Sequence, residues 1–502
     1  MFNPAPTCAF WKQPALRRVM VGVPGLLAAI VLTGCGAMNS PLIPVPHQPS
    51  GSSGSPVVLL ATSTANDRLV QFQVQITGVT LTAKSGRTVS LLSNTVSPEM
   101  LHLNSVVAPL SSIALPRDTY TAVTISVGSA QFVCTSYDST RGLQTSTFIY
   151  GQVPSSSVHV TLESPISVAQ SPVAVLLNVN VAQSVSLSSC QGGSATTFSI
   201  TPTMTLAPLA LASPPTNSAN GLLTGMHGLV SQVQPDLGMF TVAGADGPHL
   251  SGPTWRLATD TGTVFQGVSS TAQIAPGMPI DLDAALQPDG SLLATRVSIY
   301  DTDTTDLNVF AGPLNAISLS SQSLSVIGAE QQGYLDNSSY YSGAEPISDQ
   351  NAAYAIAGAP DRLAGLPFNP VFSAVTAVPG QNVSVTSHVP IFTGGDLPAA
   401  TITLMPQTVD GTIQAIGSAG SFTVYTVVLA RYDLFPNLAM EPNQRGRLLQ
   451  PGTVIVYAGP ETQTLNTEPI AVGSVVRSYG QIFDDQGTLR MLSLQMSSGV
   501  AE

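Results

Sequence analysis

Three landmarks, repeated three times in the same order, constrain this chain more than any other feature of it. Gly228-Leu229-Val230, Gly312-Pro313-Leu314 and Gly411-Thr412-Ile413 each open a unit. Eleven or twelve residues later come Phe240-Thr241-Val242, Leu324-Ser325-Val326 and Phe422-Thr423-Val424. A glycine then precedes an apolar strand: Gly277 before Ile280 and Leu282, Gly380 before Val383 and Val385, Gly473 before Val475 and Val476. Hairpin turns close the units at Pro288-Asp289-Gly290-Ser291, Thr393-Gly394-Gly395-Asp396 and Asp485-Gln486-Gly487-Thr488. Self-similarity on this scale is a tandem array of one supersecondary unit. We place the units at 226–303, 304–408 and 409–502, behind a Pro-bearing linker at 211–225. The second carries an insertion around 331–370 and the third a long excursion near 434–449.

Upstream of the repeats the pattern is period two. Val70, Phe72, Val74 and Ile76 share one face, with Gln71, Gln73, Gln75 and Thr77 on the other. After Gly78 the parity flips to Val79 and Leu81, as a β-bulge would cause. Further strands are read at Val123-Ile125-Val127, Val158-Val160-Leu162 and Val175-Leu177-Val179-Val181. No stretch of the exported chain keeps helical periodicity for three turns. The expected fold is all-β: an N-terminal antiparallel β-sandwich over 57–210, then three tandem small β-barrel-like modules. Composition permits this, since 43% of residues are hydrophobic and able to build cores. Only 9% are charged, against roughly 25% in typical soluble proteins, so the surface falls to Ser, Thr, Gln and Asn.

The first residues read as an export signal. Arg17-Arg18 precede an apolar stretch, 19–32, that is too short and too broken by Gly22, Pro24 and Gly25 to span a bilayer stably. It ends in Leu32-Thr33-Gly34-Cys35, which resembles the lipobox of bacterial lipoproteins. The resemblance implies cleavage after a 1–34 signal peptide and acylation of Cys35, a multi-chain anchor of the kind stable attachment needs. Residues 35–56, rich in Pro, Ser and Gly, read as a tether. The implied location is the cell envelope, the outer membrane before the inner because Gly36 is not Asp. Two cysteines then remain, Cys134 and Cys190. An oxidising envelope favours pairing them as a disulfide; two free thiols or part of a metal site are the alternatives.

Two family resemblances follow from these segments. Residues 57–210 resemble the bacterial lipoprotein domain family DUF4382. The likeness is carried by Phe72-Gln73-Val74-Gln75-Ile76-Thr77-Gly78-Val79-Thr80-Leu81, by Thr88-Val89-Ser90-Leu91-Leu92 and by the turn Leu115-Pro116-Arg117-Asp118-Thr119-Tyr120-Thr121. It implies a secreted β-sandwich and brings no catalytic residues. The modules resemble DUF5666, a family of small β-barrel-like envelope domains. Here the shared features are the opening Gly, the Phe-Thr-Val strand, Asp260-Thr261-Gly262-Thr263-Val264-Phe265 and the Gly before the penultimate strand.

Candidate chemistry is sparse. Oxygen donors at Asp301, Asp303 and Asp306 alternate as Ca²⁺ would like, yet the EF-hand pattern fails and a polar linker is the preferred reading. Asp281 and Asp283 share a strand face and mimic a carboxylate pair, but nothing supplies the second wall of a glycosidase groove. Asp484-Asp485 reads as turn chemistry. The six histidines, 47, 102, 159, 227, 249 and 388, are scattered, and no nucleophile, metalloprotease or phosphate-loop motif occurs. Aromatic residues in the insertions (Tyr334, Tyr340, Tyr341, Tyr354, Phe368 and Phe435) either bind a ligand or pack on the barrels; packing is preferred, with Tyr340 and Tyr341 the candidate binding pair. From Cys35 onward the chain holds 13 basic and 28 acidic residues, and 23 of the acids lie in 211–502. Such a surface repels phosphate backbones and excludes nucleic-acid binding.

These readings set the functional expectation: an envelope lipoprotein making non-enzymatic structural or adhesive contact. Its partners would be the bilayer through Cys35 and an envelope protein or glycan, with no cofactor. Glycan or small-ligand binding through the aromatic insertions is the alternative, and an envelope-polymer hydrolase is the third reading.

Overall fold

Alternating burial turns these segments into strands throughout. The computed structural model describes residues 54–64, 69–101, 103–138, 143–152, 158–169, 171–185, 197–244, 254–327, 330–333, 344–358, 360–389, 396–430, 435, 452–466 and 468–498. The signal segment, Cys35 and the tether as far as 53 lie outside the described residues. So do Cys190, the Cys134 side chain, Tyr334, Tyr340 and Tyr341, and most of the 434–449 excursion. The first strand begins at Ser55, inside the expected tether. Among the described residues no helix is long and apolar enough to cross a membrane.

The N-terminal domain pairs β1 (Ser55–Thr64), β2 (Leu69–Ala83), β3 (Thr88–Ser90), β4 (Ala108–Leu115), β5 (Asp118–Asp138), β6 (Leu143–Gln152), β7 (His159–Leu162), β8 (Ile166–Val168), β9 (Val173–Asn180), β10 (Thr197–Ser199) and β11 (Thr203–Leu209) into two sheets. Their orders are β4-β1-β9-β11-β7 and β10-β6-β5-β2-β3, with β8 on β5. The sheets are mixed, which corrects the antiparallel expectation: β1–β9, β7–β11 and β6–β10 run parallel. The register shift expected at Gly78 is present, between Ile76 and Gly78 against β5. Phe72, Val74, Ile76, Val79 and Leu81 are all buried on the inner face, each side chain contributing roughly 1.5–3 kcal/mol. Gln73, expected on a wet face, is buried too, because the segment before β4 covers it and Ser97 accepts its amide N–H at 2.8 Å. The Tyr120 hydroxyl donates to the Pro116 carbonyl at 2.9 Å and pins the turn into β5.

The repeats share one topology. The first module contains β12 (Leu222–Gln234), β13 (Met239–Gly244), β14 (Thr254–Ala258), β15 (Val264–Gln266), β16 (Pro279–Leu286) and β17 (Leu292–Ile299). Its order is β14-β13-β12-β16-β17-β15, and a parallel β14–β17 pairing closes it. The second contains β18 (Asn308–Ser318), β19 (Ser323–Ile327), β20 (Glu330–Gly333), β21 (Ala344–Ser348), β22 (Ala353–Ile356), β23 (Asn382–Ser387), β24 (Leu397–Pro398) and β25 (Thr401–Leu404). There β18, β19, β21, β23 and the pair β24–β25 take the places of β12, β13, β14, β16 and β17. The third is a closed barrel of β26 (Gln407–Ala419), β27 (Phe422–Leu429), β28 (Thr453–Asn466), β29 (Val475–Asp485) and β30 (Thr488–Ser498).

The recurring glycines now have their reason. Gly277, Gly380 and Gly473 hold φ of +89°, +92° and +90°. Each donates its N–H to the residue two beyond the opening glycine (Val230, Leu314 or Ile413) at 2.7–2.8 Å. The same three residues donate back to Met278, Gln381 and Ser474. A bulge follows at Val230/Gln232, Leu314/Ala316 and Ile413/Ala415. This exchange turns the first strand of each module sharply across the barrel, and it needs a left-handed residue at one corner. The opening glycines answer to space instead: a Cβ at Gly228 or Gly411 would meet the Ala243 or Val428 carbonyl oxygen at 2.1 or 2.3 Å.

The modules do not hang separately. All described residues fall in one compact unit, Ser52–Glu502. One apolar core runs from the N-terminal sandwich through the first module and takes in Tyr479 of the third. A second joins the second module to Phe422, Tyr457, Phe483 and Leu492 on the outside of the third barrel. β29 is therefore buried on both faces, with Ile482 inside the barrel and Phe483 against the neighbouring module. The 211–225 segment is structured rather than a free linker. Ser218 is buried, and Gln463 and Gln495 of the third module accept its N–H and hydroxyl at 2.8 and 3.3 Å.

Candidate functional site at the junction of the three modules

Asp281 and Asp283 occupy alternate positions of β16 and so project from the same face of the first barrel, toward the other two modules. A hairpin closed at 288–291 with regular pairing would set Asp283 opposite Thr295; a bulge between Asp283 and Ala284 sets it opposite Arg296 instead. The Asp283 side chain is only 8% exposed, which a carboxylate tolerates only with strong partners. It has them: Gly225 N–H donates to Oδ1 at 3.1 Å, Arg362 Nη2 donates to Oδ2, and Arg296 Nε stands 3.8 Å from Oδ2. Arg362 comes from a one-turn helix, Pro360–Leu363, in the second module's insertion. Arg296 also grips Asp361 of that turn at 2.9 and 3.1 Å, and Glu461 of the third module at 3.0 Å. Glu461 lies 3.6 Å from Arg362 Nε. Two arginines thus tie together carboxylates from all three modules. Burial works against the Arg362 charge, but the Asp283, Glu461 and Asp281 carboxylates together outweigh it and raise the guanidinium pKa. Burial likewise opposes the Asp361 charge, and Arg296 more than compensates, holding that carboxyl below its usual range.

Asp281 is placed differently. Its cross-strand partner is His227, and its Oδ1 is enclosed with no hydrogen-bond partner. The Tyr300 hydroxyl reaches Oδ2 at 3.5 Å and accepts the Gly358 N–H at 2.9 Å. Burial, reinforced by the Asp283 charge and relieved partly by His227 and Arg362, pushes the Asp281 carboxyl up to about 6. Burial and the Asp281 charge raise Tyr300 well above the ordinary phenol. These groups line a cavity of about 40 Å³ between the first two modules, with room for roughly three waters. Its other wall is built from Val309, Ala311, Ser384 and Met405.

The remaining sequence candidates fall elsewhere. Asp301, Asp303 and Asp306 are not gathered: Asp301 Oδ2 faces His388 Nε2 at 3.0 Å and accepts the Thr386 hydroxyl at 2.8 Å, while Asp303 Oδ1 accepts the Thr305 N–H at 2.9 Å. Asp306 turns the backbone at φ +49°. Among the described residues no group of three or more His, Cys, Asp and Glu is assembled as a metal would require. Asp484 accepts the Gly487 N–H at 2.6 Å, in keeping with turn chemistry. Of the insertion aromatics within the described residues, Tyr354 stacks edge-on against Phe372, Phe368 packs on Tyr457 and Phe483, and Phe435 is buried beside Gly380. Sequence reasoning missed Arg296, Tyr300 and Arg362. The first is legible only with the bulge in hand, Arg362 meets Asp283 from another module, and Tyr300 reaches Asp281 from just beyond the end of β17.

Comparison with known proteins adds little beyond one segment. A solved glycoside hydrolase family 32 structure from Bifidobacterium adolescentis aligns over 88% of this chain and 67% of its own, at 8% identity and a TM-score of 0.12, a likeness too weak to carry an argument. No curated protein matches the chain. What does match is residues 227–298, the first module, to the model of DUF5666, a domain of unknown function.

Proposed function

We propose that this chain is a lipid-anchored envelope protein whose four β-units act as one rigid, non-enzymatic scaffold for structural or adhesive contact. The anchored placement rests on Leu32-Thr33-Gly34-Cys35 behind a charged, then apolar, leader. The DUF4382-like character of the N-terminal sandwich belongs to the same reading. The observation that carries the scaffold role is the ionic junction. Arg296 and Arg362 are engaged by Asp283, Asp361 and Glu461 to lock three modules in register. The Arg362–Asp283 pair is buried, and such pairs specify arrangement more than they add stability, whereas Asp361 and Glu461 meet Arg296 from exposed positions at the rim of the junction. A scaffold needs that fixed arrangement. In cells fed a fatty-acid analogue the wild-type protein should be labelled and membrane-bound, and Cys35→Ala should be unlabelled and released. Unlabelled wild-type protein, or a Cys35→Ala form still held at the membrane, contradicts the anchor.

A further inference from the structure

The cavity between the first two modules is framed by equivalent positions of the repeat. In the first module His227 pairs with Asp281 across β12 and β16, and Tyr300 follows the last strand. In the second, Ala311 pairs with Ser384 across β18 and β23, and Met405 follows β25. Counting from Gly277 and Gly380, Asp281 corresponds to Ser384; counting from the β16–β17 and β23–β25 registers, Tyr300 corresponds to Met405. The same face of two copies therefore meets across the cavity, ionisable on one side and small or apolar on the other. Asp281 Oδ1 is enclosed there with no partner from the protein.

We infer that this joint is proton-controlled: a proton on Asp281 closes the first module against the second, and its loss loosens them. A neutral carboxyl can sit against Val309, Ala311 and Met405, whereas a carboxylate must draw water into the joint. The groups facing Asp281 bias it in both directions. Asp283 on the same strand disfavours the charge, as burial does; His227 on β12 and Arg362 on the second module's helical turn favour it; the Tyr300 hydroxyl touches Oδ2. Arg296 on β17 and Tyr479 on β29 belong to the same cluster, Arg296 through Asp283. The closed joint holds the Asp281 carboxyl near 6 against an ordinary value of 3.8. Proton binding to the closed form therefore makes opening rarer as pH falls through that window.

Hydrogen exchange on the full chain reads this directly, as protection factors corrected for the intrinsic pH dependence of exchange. From pH 5 to pH 7.5, opening at β12, β16, β18 and β23 should rise about tenfold in the wild type, the ratio that closed and opened values of about 6 and 3.8 give. In a His388→Gln background, which removes the other group titrating beside β18 and β23 in this window, Asp281→Asn should abolish that rise, and Asp281→Ser, which copies the second module's residue, provides the same test if the Asn form folds poorly. His227→Gln should retain it. A wild type with flat protection, a rise that survives both Asp281 substitutions, or one that vanishes only in His227→Gln would overturn the inference.

Discussion

In the third module Asp410 faces Arg477 across β26 and β29; in the first, His227 faces Asp281 at the equivalent rung of β12 and β16. The third module satisfies its carboxylate with a two-pronged guanidinium, Nε and Nη2 at 2.7 and 3.2 Å from the two carboxylate oxygens. The first leaves one oxygen of Asp281 enclosed and unmatched. The repeat thus dictates where this rung falls, through the glycine corner and the bulge beside it, but not that it is polar, since the second module places Ala311 opposite Ser384 there. It does not dictate the charge placed there. One rung behaves as a permanent weld and the other as a group poised between charged and neutral.

The sharpest way to break this contrast is to remove the guanidinium. Arg477→Leu removes the two-pronged contact to half-buried Asp410 and should destabilise the protein by about 2–3 kcal/mol in chemical denaturation, while adding Asp410→Leu should recover part of the loss. A smaller effect tests the shared corner. Alanine at Gly473, where a new Cβ meets nothing within 4 Å, should cost about 1–2 kcal/mol of backbone strain. Gly380→Ala should cost more, because its Cβ would stand 2.8 Å from the Phe435 ring and carbonyl oxygen. Equal losses would show that packing around the corner does not matter.

At the poised rung the sign reverses. An acid raised in the folded state is penalised when ionised, so the penalty is absent below pH 3.8, grows to about pH 6 and is complete above it. Asp281→Asn should therefore stabilise the protein by about 1–2 kcal/mol at pH 7.5 and by nothing near pH 3.5, read as the difference in thermal midpoints. The least effect belongs to His388. Both its ring nitrogens face acceptors, the Thr305 carbonyl at 2.9 Å and Asp301 at 3.0 Å, an arrangement only the doubly protonated ring satisfies fully. Burial opposes that charge, but the Thr305 carbonyl and Asp301 raise the pKa above 6.5. Its contribution, below about 1 kcal/mol, should be complete below pH 6.5 and lost as pH rises through the folded value. His388→Gln should flatten that part of the stability profile.

What was legible in the sequence follows from what is local. The β2 alternation, its flip at Gly78 and the glycine corners of the modules depend on residues near one another in the chain, and all three reappear in the fold. Asp281 and Asp283 could be singled out because a strand puts alternate residues on one face. Their chemistry could not be read, because it is decided by Arg362 from a later module and by a bulge that moves Arg296 opposite Asp283. The parallel pairings of the N-terminal sheets were hidden for a similar reason: β1 and β9 are joined by topology, and their period-two pattern is the same in either direction.

Calorimetry of the full chain tests most directly whether the repeats are welded into one body. The wild type should show a single transition, with calorimetric and van't Hoff enthalpies in agreement, and Arg362→Ala, which unties Asp283 from the second module, a split one. Separate transitions in the wild type, or an Arg362→Ala protein that still melts as one unit with an unchanged midpoint, would contradict this.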